Sequence, residues 1–343
     1  MNAAGTGDAL ILIPGDLVTD PSTPPNGEHP TASGEPAAPG RSSFLHGSAR
    51  TEPAQTGWRG LLRRAGVELP PSEAELAVRA DEHAVSQHWP GPRKIAVVNA
   101  KGGTGKTPAT VFLSSVFARL GGVGVLAWDN NHTRGTLGWR TEQAEHDRTV
   151  LDLLPEADRL LHGDAHAADL SRYVHHQAAD RFDVLRAQPV RLADEQRIET
   201  ADVDVIHEIA TKFYRLIVMD SGDDESDPVW RRMIDHADQL VVTTTTRSDH
   251  AESGALLLEA LAQRDARSAR LAERAVVVVS QADPRASAAE VERVANGYSP
   301  LARAVVRIPF DRGIVDGPLR SDRVSPRTRR AWLAAAAAVA RGL

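Results

Sequence analysis

Residues 101–108 have the sequence KGGTGKTP, which combines glycines, two lysines and a threonine at a spacing suited to phosphate chemistry. Glycines let backbone N–H groups turn inward around an anion, because no side chain obstructs the approach. The Lys106 ammonium would reach the terminal phosphates, and the Thr107 hydroxyl would ligate Mg²⁺. The segment is a variant of the G-x-x-x-x-G-K-[ST] loop, with Lys101 at its front end. The expected ligand-contacting residues are Gly102, Gly103, Thr104, Gly105, Lys106, Thr107 and Pro108.

The flanking elements suit such a loop. Lys94–Asn99 is predicted to be a buried parallel strand, and Thr107–Leu120 the helix that follows. The N-terminus of that helix adds a positive dipole end to the site. Only four of the 40 basic residues in the chain are lysines, and two of them lie in this loop. Arginine would replace them poorly, because its planar fork is not a compact point charge.

A second acidic element lies further along the chain. Residues 216–222, LIVMDSG, form a hydrophobic strand that ends in Asp220 and is followed by a small turn. Asp220 would hold Mg²⁺ through water, and Gly222 can follow the γ-phosphate. Many buried strands end in aspartate, but after a phosphate-binding loop the pattern indicates a Walker B element.

The loop resembles the deviant Walker A motif, KGGxGKT[ST], of the ParA/MinD group of P-loop ATPases. The resemblance implies ATP and Mg²⁺ as ligands, ATP hydrolysis, and a homodimer that closes over two nucleotides. In that group the lysine at the position of Lys101 crosses the interface to the partner's phosphates. Pro108 stands where the group usually has threonine or serine. Proline is tolerated in the first turn of a helix, so we expect the fold to survive it.

The resemblance also assigns roles to residues after the second strand. The group has D-x-D there, and its second carboxylate positions the attacking water. Asp129 matches the first position, but Asn131 occupies the second and cannot take a proton from water. We therefore expect slow ATP hydrolysis, with loss of hydrolysis as the alternative. The implied catalytic residues are Lys101, Lys106, Asp129, Asn131 and Asp220. The implied metal ligands are Thr107, Asp129 and Asp220.

Later segments resemble the same group. Gln281, Asp283, Pro309 and Asp311 follow strands at places where the group surrounds the adenine ring. The resemblance covers residues 93–343. Residues 128–140 and 219–253 are most similar to actinobacterial ParA-like proteins, including the EspI-like ATPases of type VII secretion loci.

From Arg93 onward, strand and helix patterns alternate, which predicts an α/β fold with a doubly wound, mostly parallel sheet and ligand at the carboxyl ends of its strands. The strands are predicted at Lys94–Asn99, Val123–Asp129, Phe182–Ala187, Leu216–Asp220, Gln239–Thr244, Ala275–Ser280 and Ala304–Ile308. Further helices are predicted at Val203–Tyr214, His250–Arg264 and Ala286–Ala295. Residues 142–180 would carry several helices. The irregular spacing of their histidines (His146, His162, His166, His175, His176) favours solvated helix faces over a metal site.

The organisation before this domain differs. Residues 1–55, rich in Pro, Gly, Ser and Thr, are predicted to be a disordered tail, and residues 56–92 a helical connector to the domain at 93–343. Within the connector, residues 58–65 place Trp58, Leu61, Leu62 and Ala65 on one helical face. That face would dock on the protein's own domain, or contact an anionic membrane or a protein partner.

Composition narrows the function. The absence of cysteine excludes disulfides, thiolate catalysis and Cys-ligated metals. No run approaches the roughly 20 apolar residues of a membrane span, and the start lacks a basic region, so a cytoplasmic protein is expected. Residues 301–343 carry nine arginines against three aspartates, which are either a nonspecific DNA surface or a solvated helix face. The arginines are Arg303, Arg307, Arg312, Arg320, Arg323, Arg327, Arg329, Arg330 and Arg341.

Two functions fit these observations. The first is a nucleotide-switched ATPase for DNA segregation or intracellular positioning, associated with the nucleoid or a membrane. The second is a non-catalytic nucleotide-binding adaptor of a type VII secretion or conjugation apparatus.

Overall fold

The computed structural model describes Pro53, Gln55 and residues 69–132, 135–188 and 198–343. The disordered tail predicted for residues 1–55 and the amphipathic helix at 58–65 lie outside these residues, apart from Pro53 and Gln55. Both described residues contact the first helix. Gln55 N donates to Glu75 Oε1 over 2.8 Å, and Arg79 donates to the Pro53 carbonyl over 3.0 Å.

In the described part of the chain, eight strands form one sheet. They are β1 (Arg93–Val98), β2 (Val125–Asp129), β3 (His175–Gln177), β4 (Phe182–Leu185), β5 (Leu216–Asp220), β6 (Gln239–Thr245), β7 (Val276–Ser280) and β8 (Ala304–Ile308). Their order is β3-β4-β2-β5-β1-β6-β7-β8, and every neighbouring pair is parallel except β3 with β4. The connection from β1 runs to β2 on one side, and the connection from β5 to β6 crosses to the other side. The carboxyl end of β1 therefore lies at a topological switch point, where ligands bind in such folds.

Helices cover the sheet. They are α1 (Glu73–Val85), α2 (Lys106–Gly121), α3 (Val150–Leu153), α4 (Ala157–His162), α5 (Ala167–Leu170), α6 (Thr200–Phe213), α7 (Pro228–His236), α8 (Ser248–Arg264), α9 (Ala266–Glu273), α10 (Ala288–Tyr298), α11 (Arg312–Val315) and α12 (Pro326–Ala340). Short 3₁₀ turns occur at Leu137–Trp139, Leu154–Glu156 and Ser321–Arg323.

The core consists of two hydrophobic clusters, and strand residues alternate between them. Ala96 and Val98 of β1 belong to one cluster, whereas Ile95 and Val97 belong to the other. Both faces of the sheet are therefore buried, as the continuous apolar strands require. The second cluster includes the alanine run of α12, whose small side chains allow close packing.

Helix α1 lies within the predicted connector range and packs against α12. Ala84 and Val85 at its end are buried in the second cluster. Asp81 is nearly buried and pairs with Arg330 at 2.8 Å and Arg341 at 2.7 Å. Two C-terminal arginines therefore hold α1 to the domain.

All seven predicted strands are confirmed, with bounds that coincide at most ends and differ by one or two residues at the others. The short strand β3 was not predicted, because three residues carry too little periodicity. The interpretation of the histidines as solvated helix residues is wrong for His175 and His176, because both lie on strand β3. His176 is exposed, whereas His175 is buried, accepts from Ala144 N over 3.0 Å and sits 3.1 Å from the Arg148 carbonyl.

None of the helices in the described ranges has the length and apolar character that a membrane crossing requires.

Candidate nucleotide site

The loop between β1 and α2 is shaped by two glycines with positive φ. Gly103 has φ 78° and Gly105 has φ 94°, conformations that other residues adopt only with strain. Gly105 is the N-cap of α2 and provides no side-chain cap, so the first-turn N–H groups stay available to an anion. Pro108 is the third residue of α2, and the helix continues unbroken to Gly121. The expectation that the fold tolerates this proline is confirmed.

Lys106 lies at the centre of the loop and is buried. Its Nζ donates to the Asn99 carbonyl over 3.0 Å and to the Lys101 carbonyl over 2.9 Å. It also pairs with Asp223 Oδ1 at 2.5 Å. The ammonium is thus directed into the loop by two fixed carbonyls and one carboxylate.

The loop meets strand β5 through Thr107. Its Oγ1 donates to Asp220 Oδ2 over 2.7 Å, and it lies 3.0 Å from Thr136 Oγ1. Asp220 Oδ1 is buried and has no hydrogen-bond partner. Burial raises the pKa of Asp220 to about 6, against the lowering effects of the Thr107 hydrogen bond and the Lys106 charge. A buried carboxylate with an unpaired oxygen favours a cation.

Asp129 lies beside Asp220, because the two residues are register partners on β2 and β5. Burial, and then the charge of Asp220, raise the pKa of Asp129 well above its usual value. Its carboxylate accepts the N–H groups of Asn131 and Leu137, each over 3.2 Å. Asp129 therefore also anchors the start of the loop that follows β2.

Asn131 faces the phosphate-binding loop across a cavity of about 670 Å³. A Cβ built on Gly222 would lie 3.5 Å from Asn131 Oδ1, so the amide is next to the turn after β5. The structure thus brings most of the predicted catalytic residues to one cavity. Its lining includes Gly102, Gly103, Gly105, Lys106, Thr107, Pro108, Asn131 and Asp220. Lys101 is exposed at the loop surface.

Asn99, the residue after β1, holds the loop in place through side-chain hydrogen bonds. Its Nδ2 donates to the carbonyls of Thr243 (2.7 Å) and His250 (3.1 Å), while its Oδ1 accepts Lys101 N over 3.0 Å. Thr104 Oγ1, also buried, lies 3.2 Å from Thr243 Oγ1. These bonds tie the loop to the carboxyl end of β6, the neighbour of β1, and hold its backbone in place.

The residues predicted to surround adenine occupy two different places. Gln281, Pro309 and Asp311 line an apolar cavity of about 260 Å³ that also touches Gly103 and Pro108. Asp283 instead lines a separate cavity of about 720 Å³.

The Asp311 carboxylate accepts hydrogen bonds from Ser325 N over 2.8 Å and from Thr328 Oγ1 over 2.7 Å, and so holds the start of α12. Gln281 is likewise committed to the protein, since its Nε2 donates to the Ala286 carbonyl over 2.7 Å. Both residues therefore shape the cavity wall through the backbone they fix.

Sequence reasoning missed five residues that line the phosphate cavity: Thr136, Trp139, Arg140, Ser221 and Asp223. Asp223 belongs to the acidic run that follows Asp220, and its position after the strand was the available signal. Trp139 is 64 % exposed at the cavity, unusual for so large an apolar side chain. Arg140 is held by the Ile314 and Gly317 carbonyls, contacts that no local pattern encodes.

Comparison with known proteins agrees with this geometry. The chain is 29 % identical over 293 residues to the ESX-1 secretion-associated protein EspI of Mycobacterium tuberculosis. The match covers 83 % of this chain and 42 % of EspI, so the chain spans less than half the length of that curated relative. No family model matches the chain.

Solved structures show the same fold. A ParA family ATPase from Chlorobium tepidum is 24 % identical with a TM-score of 0.51, over 64 % of this chain and 85 % of that one. The septum site-determining protein MinD of Pyrococcus horikoshii, solved with Mg-ADP, is 18 % identical with a TM-score of 0.52, over 71 % and 94 %. The chain therefore has a P-loop fold of the ParA/MinD type, and the resemblance inferred from its loop is confirmed at the level of the fold.

Proposed function

We propose that this domain binds ATP with Mg²⁺ and acts as a nucleotide-dependent switch. The contact between Thr107 Oγ1 and Asp220 Oδ2 carries the proposal, because it joins the two residues expected to hold the metal. The MinD relative solved with Mg-ADP supports the same ligands. The apolar cavity beside Gly103 and Pro108 is suitably placed for an adenine base.

The donor set fits Mg²⁺. Oxygen atoms are its preferred ligands, and Asp220 presents a buried carboxylate oxygen without a partner. Thr107 would supply the second protein ligand, leaving the remaining positions to water and phosphate. When bound, the ion would neutralise charge on the phosphates. Asp129 lies on β2, which β5 separates from β1 and the loop, and its carboxylate already accepts backbone N–H groups. It would therefore contact the metal ion through water.

Hydrolysis would be slow. The Asn131 amide faces the phosphate cavity and can orient a water by hydrogen bonding, but it cannot accept a proton from it. Lys106 and the loop N–H groups would stabilise phosphate charge, the larger contribution in phosphoryl transfer. The domain would therefore spend most of each cycle in the ATP-bound form.

That form would be a homodimer. Lys101 is exposed at the front of the loop, and its backbone is fixed by the Asn99 contact. Its side chain is thus presented from a rigid base to a surface outside the subunit. Reaching the phosphates of a second copy would make the dimer depend on nucleotide.

The surface on which such a dimer acts would be nonspecific DNA. Among the described residues, six of the nine C-terminal arginines have intramolecular partners, which removes them from the candidate DNA surface. Arg312, Arg323 and Arg327 are exposed and have no ion-pair partner in the described ranges. Replacing these three with glutamate should weaken DNA binding by the ATP form and flatten its salt dependence.

The same charge change at Arg172, Arg231 and Arg270, which are exposed elsewhere, is the matched control. A triple variant of the C-terminal set that binds DNA as the control does would remove DNA as the partner of this surface.

The second candidate function is a weakly or non-hydrolysing adaptor of a secretion apparatus. The similarity to EspI, named as a secretion-associated protein, favours it. ATP turnover measured alone, with duplex DNA and with anionic liposomes separates the two functions. Stimulation by one surface supports the switch and names its partner, whereas ATP binding without turnover in any condition supports the adaptor.

A further inference from the structure

The three hydrogen bonds that the Lys106 ammonium donates are not equivalent. Two are accepted by the carbonyls of Asn99 and Lys101, which belong to the loop backbone and stay in place. The third goes to the Asp223 carboxylate, at 2.5 Å. A lysine ammonium has three N–H donors and no others, so only the bond to Asp223 can be exchanged for a phosphate oxygen.

Asp223 also covers the loop itself. A Cβ built on Gly102 would lie 3.2 Å from Asp223 Oδ2, so the second carboxylate oxygen rests against the glycine backbone. One oxygen therefore pairs with the lysine and the other contacts the cradle. The pair with the lysine is a contact that a phosphate would make in such a loop, and the position beside Gly102 is space that a phosphate would need.

The carboxylate is able to leave. Its side chain is 53 % exposed, whereas that of Lys106 is 8 % exposed. Asp223 follows Gly222, whose lack of a side chain gives the turn conformational freedom. The neighbouring Asp224 faces solvent and accepts from Ser226 N over 2.9 Å, so the acidic turn does not place every carboxylate on the loop.

We propose that Asp223 is an internal competitor of phosphate: in the nucleotide-free protein it occupies the place of a nucleotide phosphate, and a ligand must displace it to bind Lys106. The inference rests on the proposed nucleotide site and deepens it. A single phosphate offers little beyond what Asp223 already provides, whereas a polyphosphate gains additional contacts along the loop. The site thereby rejects inorganic phosphate and selects ligands with a polyphosphate chain.

Asp223→Asn tests the proposal, because it removes the charge and keeps the shape. The affinity for ATP-Mg and for pyrophosphate should rise about three- to tenfold, as expected when a competing state of modest stability is removed. Inorganic phosphate should become a detectable ligand. Adenosine, which does not reach Lys106, should bind as it does to the wild type. Calorimetric titrations of each probe give these values.

Matched variants sharpen the test. Asp224→Asn removes a charge one residue away and should leave all affinities unchanged. Asp223→Glu keeps the carboxylate and should show no gain in affinity. Unchanged or weaker pyrophosphate and ATP binding in Asp223→Asn, with a native circular dichroism spectrum, would overturn the inference. A different result would overturn the nucleotide assignment alone. In that case neither the wild type nor Asp223→Asn would bind ATP, but Asp223→Asn would still gain affinity for pyrophosphate.

Discussion

Thr107 Oγ1 donates a 2.7 Å hydrogen bond to Asp220 Oδ2, although the two residues are 113 positions apart in the chain. The contact forms because β1 and β5 are neighbours in the sheet and both end at the same edge. It leaves Asp220 Oδ1 buried and unpaired, so the nucleotide-free domain keeps a carboxylate in an unfavourable environment.

Asp220→Asn should therefore separate stability from ligand binding. We expect Mg²⁺ to stop improving nucleotide affinity, while the melting temperature of the nucleotide-free protein stays equal or rises, because a neutral amide is cheaper to bury than a charge. Calorimetry with and without Mg²⁺ and thermal unfolding measure the two effects. Asp224→Asn, on the exposed turn, is the control. Retained Mg²⁺ dependence in Asp220→Asn would remove this residue from the metal site.

Lys101 and Lys106 should have different functions despite sharing one loop. Lys101→Ala should leave nucleotide binding by the monomer detectable and abolish the ATP-bound dimer in sedimentation, because Lys101 is exposed at the loop surface whereas Lys106 is buried inside the loop. Lys106→Ala should weaken nucleotide binding itself. A Lys101→Ala protein that dimerises normally with ATP would contradict the proposed interface.

Asn131→Asp should accelerate ATP hydrolysis. The residue faces the phosphate cavity next to Gly222, and a carboxylate there can both orient water and accept its proton. Positioning of this kind is worth on the order of ten- to a hundredfold, about 1.4 kcal/mol for each factor of ten. Single-turnover rates isolate the chemical step from any loss of affinity caused by the added charge. An unchanged rate would show that Asn131 does not position the water.

Acid should destabilise the domain through His207. The ring stacks on His236 with centroids 3.9 Å apart. Burial lowers the pKa of His207 to about 4, and the charges of His236 and Lys94 add to the lowering. Asp204 and Asp238 have the opposite, smaller effect. The unfolded chain, with a pKa near 6.5, takes up the proton first. Stability should therefore fall as the pH drops from about 6.5 to about 4, with no further loss from this group below that.

After allowance for the partial exposure of the ring, the loss should be about 1–2 kcal/mol. Urea unfolding at pH 7 and pH 4.5 measures it. His207→Gln should reduce the difference between the two pH values, whereas His88→Gln, at an exposed position, should not. Equal acid sensitivity of His207→Gln and the wild type would assign the effect to other groups.

The fold was largely predictable, because buried parallel strands are continuous apolar runs. Residues 216–220 and 276–280 are examples, and both form strands with every or nearly every residue buried. The short strand β3 and buried His175 were not predictable. Three residues show no period, and the hydrogen-bond partners of the His175 ring, Ala144 N and the Arg148 carbonyl, come from a separate segment of the chain.

The arginines of residues 301–343 show the same limit. By composition they form one basic segment, yet Arg330 and Arg341 pair with Asp81, more than 240 positions earlier. Charge in a sequence can be counted, but its neutralisation depends on which distant side chains the fold brings within reach. A DNA surface built on all nine arginines is therefore reduced to the three that remain exposed and unpaired among the described residues.

The sequence by itself determined which residues form the predicted phosphate-binding loop, since its glycines, lysines and threonine lie at adjacent positions in the chain. It also determined that Asn131 departs from the D-x-D pattern. Only the tertiary structure decided that Lys106 is paired with Asp223, that Asp311 accepts a hydrogen bond from the start of α12, and that Asn131 lies beside Gly222. These contacts join segments from different strands, and their energies depend on distances that chain spacing does not specify.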